Sequence, residues 1–275
     1  MNPMIVLKNV TKVFGRETAL SGVSLRVDPG EFVCISGPSG AGKTTILSLI
    51  IGADAPTSGA VELDGVDLRH VPKPALQLYR RRVGMIFQDL KLLPHRTVAE
   101  NVAFPLEVCG VSDATIIKRV GEVLQITGLS GHAGALPHEL SAGDRARAAL
   151  ARAIIHKPLI ILADEPSGNM DPGQAVVILQ ILRHLQSQGM TVIVCTHDPA
   201  LVDTLQTRVI RLQAGKVIRD GVGGYERAKK AQPKTPVAPG DHRFFSETDQ
   251  EVAAKIDREE WGEGGKKVKI TSIGS

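Results

Sequence analysis

The chain has 275 residues, 43% of them apolar and 23% charged, with a formal net charge of +4. This is an ordinary composition for a soluble globular protein of one large or two modest domains. No stretch approaches the roughly 18 apolar residues that span a bilayer. The N-terminal ten residues also lack the basic region and long apolar core of a secretory signal, so the chain is expected to stay in the cytoplasm. Cys34, Cys109 and Cys195 are odd in number and widely spaced, which argues against a disulfide framework or a zinc site. With aromatics at only 3%, the core must be built from Val, Ile, Leu and Ala.

In chain order, residues 4–10 and 24–27 read as strands, and Asp28-Pro29-Gly30 reads as a turn. A short apolar strand at 31–36 leads into a glycine-rich loop, and 43–51 then has helical periodicity. Residues 60–63 followed by Asp64-Gly65 read as strand and turn. From about 88 to 134 the pattern is mostly helical, with 97–108 and 114–128 the better candidates, and 142–155 is rich in Ala, Leu and Arg. The runs at 159–163 and 191–196 have no polar face and suit strands buried on both sides of a parallel sheet. Cys34 and Cys195 fall inside such runs and are expected to be buried, reduced thiols. Residues 175–188 read as a helix, and 209–212 with 216–219 as a final hairpin across Ala214-Gly215.

The pattern is that of an α/β core with a helical insertion. One domain is expected over 1–224, with its helical part at about 89–156. Residues 225–275 are low in apolar content and are expected to form a flexible tail, with a short helix possible at 251–261.

Gly37-Pro38-Ser39-Gly40-Ala41-Gly42-Lys43-Thr44 satisfies GxxxxGK[ST] and lies between a predicted strand and a predicted helix. Its glycines let backbone N–H groups converge on phosphate oxygens, and the helix N-terminus adds its positive dipole end. Lys43 supplies a cation to the β- and γ-phosphates, and the Thr44 hydroxyl is suited to coordinate Mg²⁺. The expected ATP-binding set includes Thr45 as well. The apolar run 159–163 ends in Asp164 and Glu165. A buried strand there would bring Asp164 to the Mg²⁺ and Glu165 to the attacking water.

Leu140-Ser141-Ala142-Gly143-Asp144 precedes the 145–153 helix and the LIILADEP segment, and it resembles the ABC signature, usually LSGGQ or LSGGE. Ser141 is also a good N-cap, with Asp144 placed like the partner of a capping box. The ordered set of motifs resembles the ABC ATPase family over roughly residues 4–221. The architecture implied is a P-loop NTPase core of mixed and parallel sheet with flanking helices, an antiparallel β subdomain and an inserted helical subdomain.

The resemblance also implies roles. Gln88 would be the Q-loop glutamine near Mg²⁺ and water, and His197 the switch histidine at the γ-phosphate. Ser167-Gly168-Asn169-Met170-Asp171 would be the D-loop, with Asp171 at a dimer interface that also contains Ser141, Ala142 and Gly143. Ser141 and Gly143 would grip the ATP held by a second copy. Phe14 occupies the position of an adenine-stacking aromatic; the other reading is a core Phe. Ala142 in place of the first signature glycine and Asp144 in place of Gln or Glu are departures that bear on the hydrolysis rate. The remaining histidines show no ligand spacing.

Residues 87–94 and 96–108 resemble the cell-division ATPases of the FtsE type and, next to them, the lipoprotein-release and macrolide-export ATPases. The resemblance implies a homodimer on the cytoplasmic face of the cell membrane, held there by an integral FtsX-like subunit. Leu92, Leu93, Phe104 and Pro105 form either the docking groove for that subunit or helical core. An importer ATPase and a slow-turnover nucleotide-gated scaffold are the other readings. Nucleic acid is not an expected partner, because no long coiled-coil insertion separates Gln88 from Ser141 and there is no second cassette. Basic tail residues such as Lys229, Lys230, Lys266 and Lys267 either touch anionic lipid or simply keep the tail solvated.

Overall fold

The computed structural model describes residues 2–168 and 170–225. The tail beyond Tyr225, with its expected short helix and basic residues, lies outside them, as does Asn169. Strands β1 (Ile5–Phe14) and β2 (Glu17–Val27) form an antiparallel hairpin across Gly15. Both run well beyond the expected 4–10 and 24–27. Their pairing shifts register near Val10 and Lys12, and such bulges interrupt the period-two pattern that sequence reading depends on. β4 (Ser58–Leu63) pairs with β1 and with the two-residue β5 (Val66–Asp67), completing a four-stranded sheet of order β2-β1-β4-β5.

The second sheet has six strands in the order β10-β9-β3-β8-β7-β6. β3 (Phe32–Ser36), β6 (Val83–Ile86), β7 (Ile160–Asp164), β8 (Thr191–Thr196) and β9 (Arg208–Gln213) are parallel, and β10 (Lys216–Val222) turns back on β9. The helices are α1 (Lys43–Ile50), α2 (Lys73–Arg80), α3 (Val98–Val108), α4 (Asp113–Ile126), α5 (Ala142–Ile154), α6 (Pro172–Ser187) and α7 (Pro199–Leu205). α2 and α7 were not expected. Each has only about two turns, too few to show a repeating apolar stripe, and each is stabilised by Pro in its first turn. None of the helices among the described residues is long and apolar enough to cross a membrane.

Side chains along β3, β7 and β8 alternate between two cores. Val33, Ile35, Leu162 and Ile193 pack with the four-stranded sheet and α1. Cys34, Ile161, Ala163 and Val194 pack with α3 to α7. The central strands are therefore buried on both faces, as their unbroken apolar runs predict. Cys34 and Cys195 are buried free thiols. Burial, helped by the nearby Glu165 carboxylate, pushes the Cys34 thiol up to about 12, so it stays protonated and inert.

The loop between β6 and α3 is held by one buried amide that sequence reading missed. Asn101 accepts from the Leu93 N–H at 2.7 Å, and its Nδ2 faces the carbonyls of Leu93, Arg96 and Thr97 at 3.1, 2.9 and 3.0 Å. A second tie is the capping box at the start of α3, where Thr97 and Glu100 exchange side-chain-to-backbone bonds. Asn101→Leu takes away the partner of the Leu93 N–H and of the Arg96 carbonyl, while the Leu93 and Thr97 carbonyls keep backbone donors. It is expected to lower the unfolding free energy by about 2–4 kcal/mol in urea titrations; an unchanged midpoint would show that the loop is held by other contacts.

Candidate active site

Strands β3, β8 and β7 lie side by side and end at one level, with Ser36 opposite Thr196 and Cys195 opposite Asp164. Everything delivered by their C-terminal ends therefore meets in one place. From β3 the chain enters the glycine-rich loop and then α1. A side chain at position 37 would come within 2.3 Å of the Leu212 carbonyl, and one at position 42 within 2.6 Å of the Ala19 carbonyl. Glycine is required at both by close backbone approach. Pro38, Ser39 and Gly40 are exposed at the tip of the loop, Ala41 is buried beneath it, and Thr45 lies half-buried on the first turn of α1.

Lys43 is buried, with its Nζ 2.8 Å from the Gly37 carbonyl and 3.1 Å from the Pro38 carbonyl. Its third oxygen neighbour is Glu165 Oε1, at 3.5 Å. Thr44 Oγ1 donates to Asp164 Oδ2 at 2.7 Å. Asp164 is 3% exposed, and its Oδ1 has no hydrogen-bond partner among the described residues. Burial raises the Asp164 carboxyl above the usual range; the Thr44 hydroxyl opposes that, and the neighbouring Glu165 charge adds to it. An orphaned buried carboxylate oxygen beside a hydroxyl fits a hard, oxygen-seeking cation. Among the described residues no cluster of three or more His, Cys, Asp or Glu could hold a metal alone. A cation here would take its remaining ligands from phosphate and water, which is the habit of Mg²⁺.

Glu165 follows β7 with φ 47, a left-handed conformation that costs a non-glycine residue energy. The Glu165 N–H donates to the Cys195 carbonyl at 2.9 Å, which ties this turn to the end of β8. The bend aims the carboxylate back at the loop. Glu165 Oε1 is 2.8 Å from His197 Nδ1, on the residue that leaves β8. Thus Lys43, Thr44, Asp164, Glu165 and His197 converge, from segments up to 154 positions apart (197 minus 43).

Other expected residues do not join them. Gln88 is exposed two residues beyond the end of β6. No hydrogen bond ties it to the loop, Asp164 or Glu165 among the described residues. Phe14 ends β1 and is 49% exposed, with the Lys12 ammonium 4.6 Å from its ring centroid. The alternative reading of Phe14 as a core residue is therefore excluded. Ser141, Ala142 and Gly143 start α5, with Ser141 exposed and Gly143 buried against Gln174 of α6. Asp171 caps the start of α6, accepting from the Gln174 N–H at 3.0 Å. No hydrogen bond or ion pair joins residues 141–144 to residues 37–45 among the described residues.

A cleft of about 520 Å³ lies between the edge strand β6 and helices α2, α3 and α5. Leu93, Phe104 and Pro105 line it, whereas Leu92 packs into the helical core, so the two readings of that apolar group divide between its members. The cleft also carries Arg80, Arg81 and His156 and no carboxylate. No sequence pattern announces it, because its walls come from residues 77 to 156 in separate elements.

The family profile described as ABC transporter matches residues 20–168. The cell division ATP-binding protein FtsE of Mycobacterium tuberculosis is 43% identical over 234 residues, covering 82% of this chain and 100% of the relative. The methionine import ATP-binding protein MetN of Caulobacter vibrioides is 38% identical over 274 residues, covering 98% of this chain and 79% of the relative. Among solved structures, the dimeric bacterial ABC transporter cassette MJ0796 aligns with a TM-score of 0.74 at 39% identity, covering 80% of this chain and 98% of its own. The same cassette is also known as a dimer in a post-hydrolysis state with bound ADP and Pi. With the phosphate loop, the acidic strand end and the signature segment in this order and geometry, the chain belongs to the ABC transporter family as an ATP-hydrolysing cassette.

Proposed function

We propose that this cassette works as a homodimer that closes on ATP and drives an integral membrane subunit, as an FtsE-like component of a cell-division complex. The observation that carries the reading is the separation of two half-sites. Lys43, Thr44, Asp164, Glu165 and His197 meet at one sheet end, while the exposed Ser141 start of α5 makes no hydrogen bond to residues 37–45 among the described residues. Two copies related by a two-fold axis complete both sites at once, each ATP lying between one loop and the second copy's Ser141, Ala142 and Gly143, with Asp171 at the interface. That MJ0796 was solved as a dimer supports this arrangement.

In this reading residues 37–45 wrap the phosphates, and Phe14 stacks on the adenine. Lys43 exchanges its carbonyl and Glu165 contacts for β- and γ-phosphate oxygens. Thr44 and Asp164, with Gln88 from the adjacent loop, would hold Mg²⁺, whose charge neutralises the phosphates when bound. Glu165 orients the attacking water and accepts its proton, and His197 holds the Glu165 carboxylate and faces the γ-phosphate. Phosphate loss removes the charge that both copies share, and the dimer reopens. Residues 1–224 form the cassette, with the helical part at about 89–156.

The cleft at Leu93, Phe104 and Pro105 is the proposed seat of an FtsX-like membrane subunit, holding the cassette at the cytoplasmic membrane face. Its cationic rim without a carboxylate calls for an apolar segment that carries acidic residues. The 43% identity to FtsE over that relative's whole length supports the cell-division assignment. A methionine importer is the second reading, because the alignment with MetN runs over 98% of this chain, into the tail.

Lys43→Ala is expected to weaken ATP binding roughly ten- to hundredfold in equilibrium titration; unaltered affinity would remove the phosphate role of the loop. Glu165→Gln is expected to bind ATP, lose phosphate release and accumulate as a dimer in sedimentation with Mg-ATP. Persistent turnover in that variant would show that another group activates water. Purification of the full chain from membranes separates the cell-division and importer readings by the kind of subunit recovered. Arg81→Glu is expected to lose that subunit while its thermal unfolding midpoint stays where it was.

A further inference from the structure

The signature segment departs from its usual form at Asp144, and the structure gives that departure a consequence. A serine hydroxyl has one proton to donate. Ser141 donates it to Asp144 Oδ2 at 2.5 Å, and Ser141 Oγ accepts the Asp144 N–H at 3.1 Å. The other carboxylate oxygen of Asp144 takes the Arg147 guanidinium. Arg147 in turn donates to Gln174 Oε1 at 2.9 Å. Gln174 stands on the first turn of α6, where its N–H is bound by the Asp171 carboxylate at 3.0 Å. A chain of bonds thus runs from the signature hydroxyl to Asp171, the last residue of the D-loop. Burial alone would raise the Asp144 carboxyl, but the Ser141 hydroxyl and the Arg147 charge outweigh it and hold it below the usual range, so it is ionised at neutral pH.

We propose that Asp144 is a positioning residue that latches the Ser141 hydroxyl away from the second copy's nucleotide, so that ATP-driven dimer closure must first break the Ser141–Asp144 bond. This rests on the reading that two copies enclose ATP. The incoming γ-phosphate needs the Ser141 hydroxyl hydrogen that is already donated to Asp144, and it meets a second anion at hydrogen-bonding distance from its own donor. Arg147 offsets part of that repulsion. Because Arg147 also holds Gln174, release of the latch moves with the start of α6 and so with the D-loop. An amide at position 144 accepts the hydroxyl more weakly and carries no charge.

The test uses the full chain in the Glu165→Gln background with Mg-ATP. Adding Asp144→Gln is expected to tighten the ATP-dependent dimer by roughly tenfold in sedimentation. Asp144→Asn, which keeps the side-chain length, is expected to act in the same direction. With Glu165 intact, Asp144→Gln should lower the protein concentration at half-maximal phosphate release. A purely structural role for Asp144 would lower the unfolding midpoint without tightening the dimer. Should Asp144→Gln fail to fold, Asp144→Asn decides. An ATP-dependent dimer of Glu165→Gln that neither folded substitution tightens overturns the latch and leaves the two-copy site standing. A dimer that appears only once Asp144 is replaced supports the latch strongly. If no ATP-dependent dimer forms in any of these proteins, the two-copy site and the latch fall together.

Discussion

The hydrogen bond from Thr44 to Asp164 spans 120 positions of sequence, and it depends on one constraint: β3, β8 and β7 must be parallel, adjacent and in register. Parallel strands bury both faces, so each needs apolar side chains along its interior, and these strands are built that way, with polar residues only at their ends. Once both faces are covered, by the antiparallel sheet and α1 on one side and the helical layer on the other, the strand ends cannot slide. A slip of one residue would move each side chain to the opposite core. The two acidic residues, the loop lysine and the histidine are therefore located to within hydrogen-bonding distance by packing that lies entirely behind them.

The site that results is held under electrostatic tension. Asp164 is almost fully buried, keeps one oxygen unpaired among the described residues and sits beside a second carboxylate. Glu165 adopts a left-handed backbone that its side chain does not favour. Among the described residues, Lys43 is satisfied by two carbonyls and by Glu165. In the proposed nucleotide complex a cation would meet the open Asp164 oxygen and phosphates would meet the Lys43 ammonium, while the Glu165 backbone strain stays as the cost of aiming its carboxylate. Such strain at a site, offset by stable packing elsewhere, is the usual relation between binding energy and fold stability.

The signature segment shows how a local rule and a functional one can share residues. Ser141 and Asp144 form an ordinary helix start, and this would suffice to explain them. In the two-copy arrangement proposed above, the same hydroxyl is the group directed at a phosphate. A cap that satisfies the helix within one subunit would then compete with the contact between subunits. On that proposal the strength of the cap is a variable of the machine rather than only of its stability.

By itself, the sequence determined the phosphate loop, the buried strands and their acidic end, the α5 start and the order of motifs that carries the family resemblance. These are local patterns, legible because backbone geometry and side-chain periodicity act over a few residues. It failed to mark the short helices α2 and α7, which have too few turns for a stripe, and the long β1–β2 hairpin, whose bulges break the alternation. Only the tertiary structure decided that Phe14 is exposed and not core, that Leu92 is core while Leu93 lines a cleft, and that Asn101 holds the loop beneath them. It alone joined Arg147 to Gln174. Each of these depends on which elements are neighbours in space, and that is set by the burial of two sheet faces at once, a property of the whole chain that no segment carries.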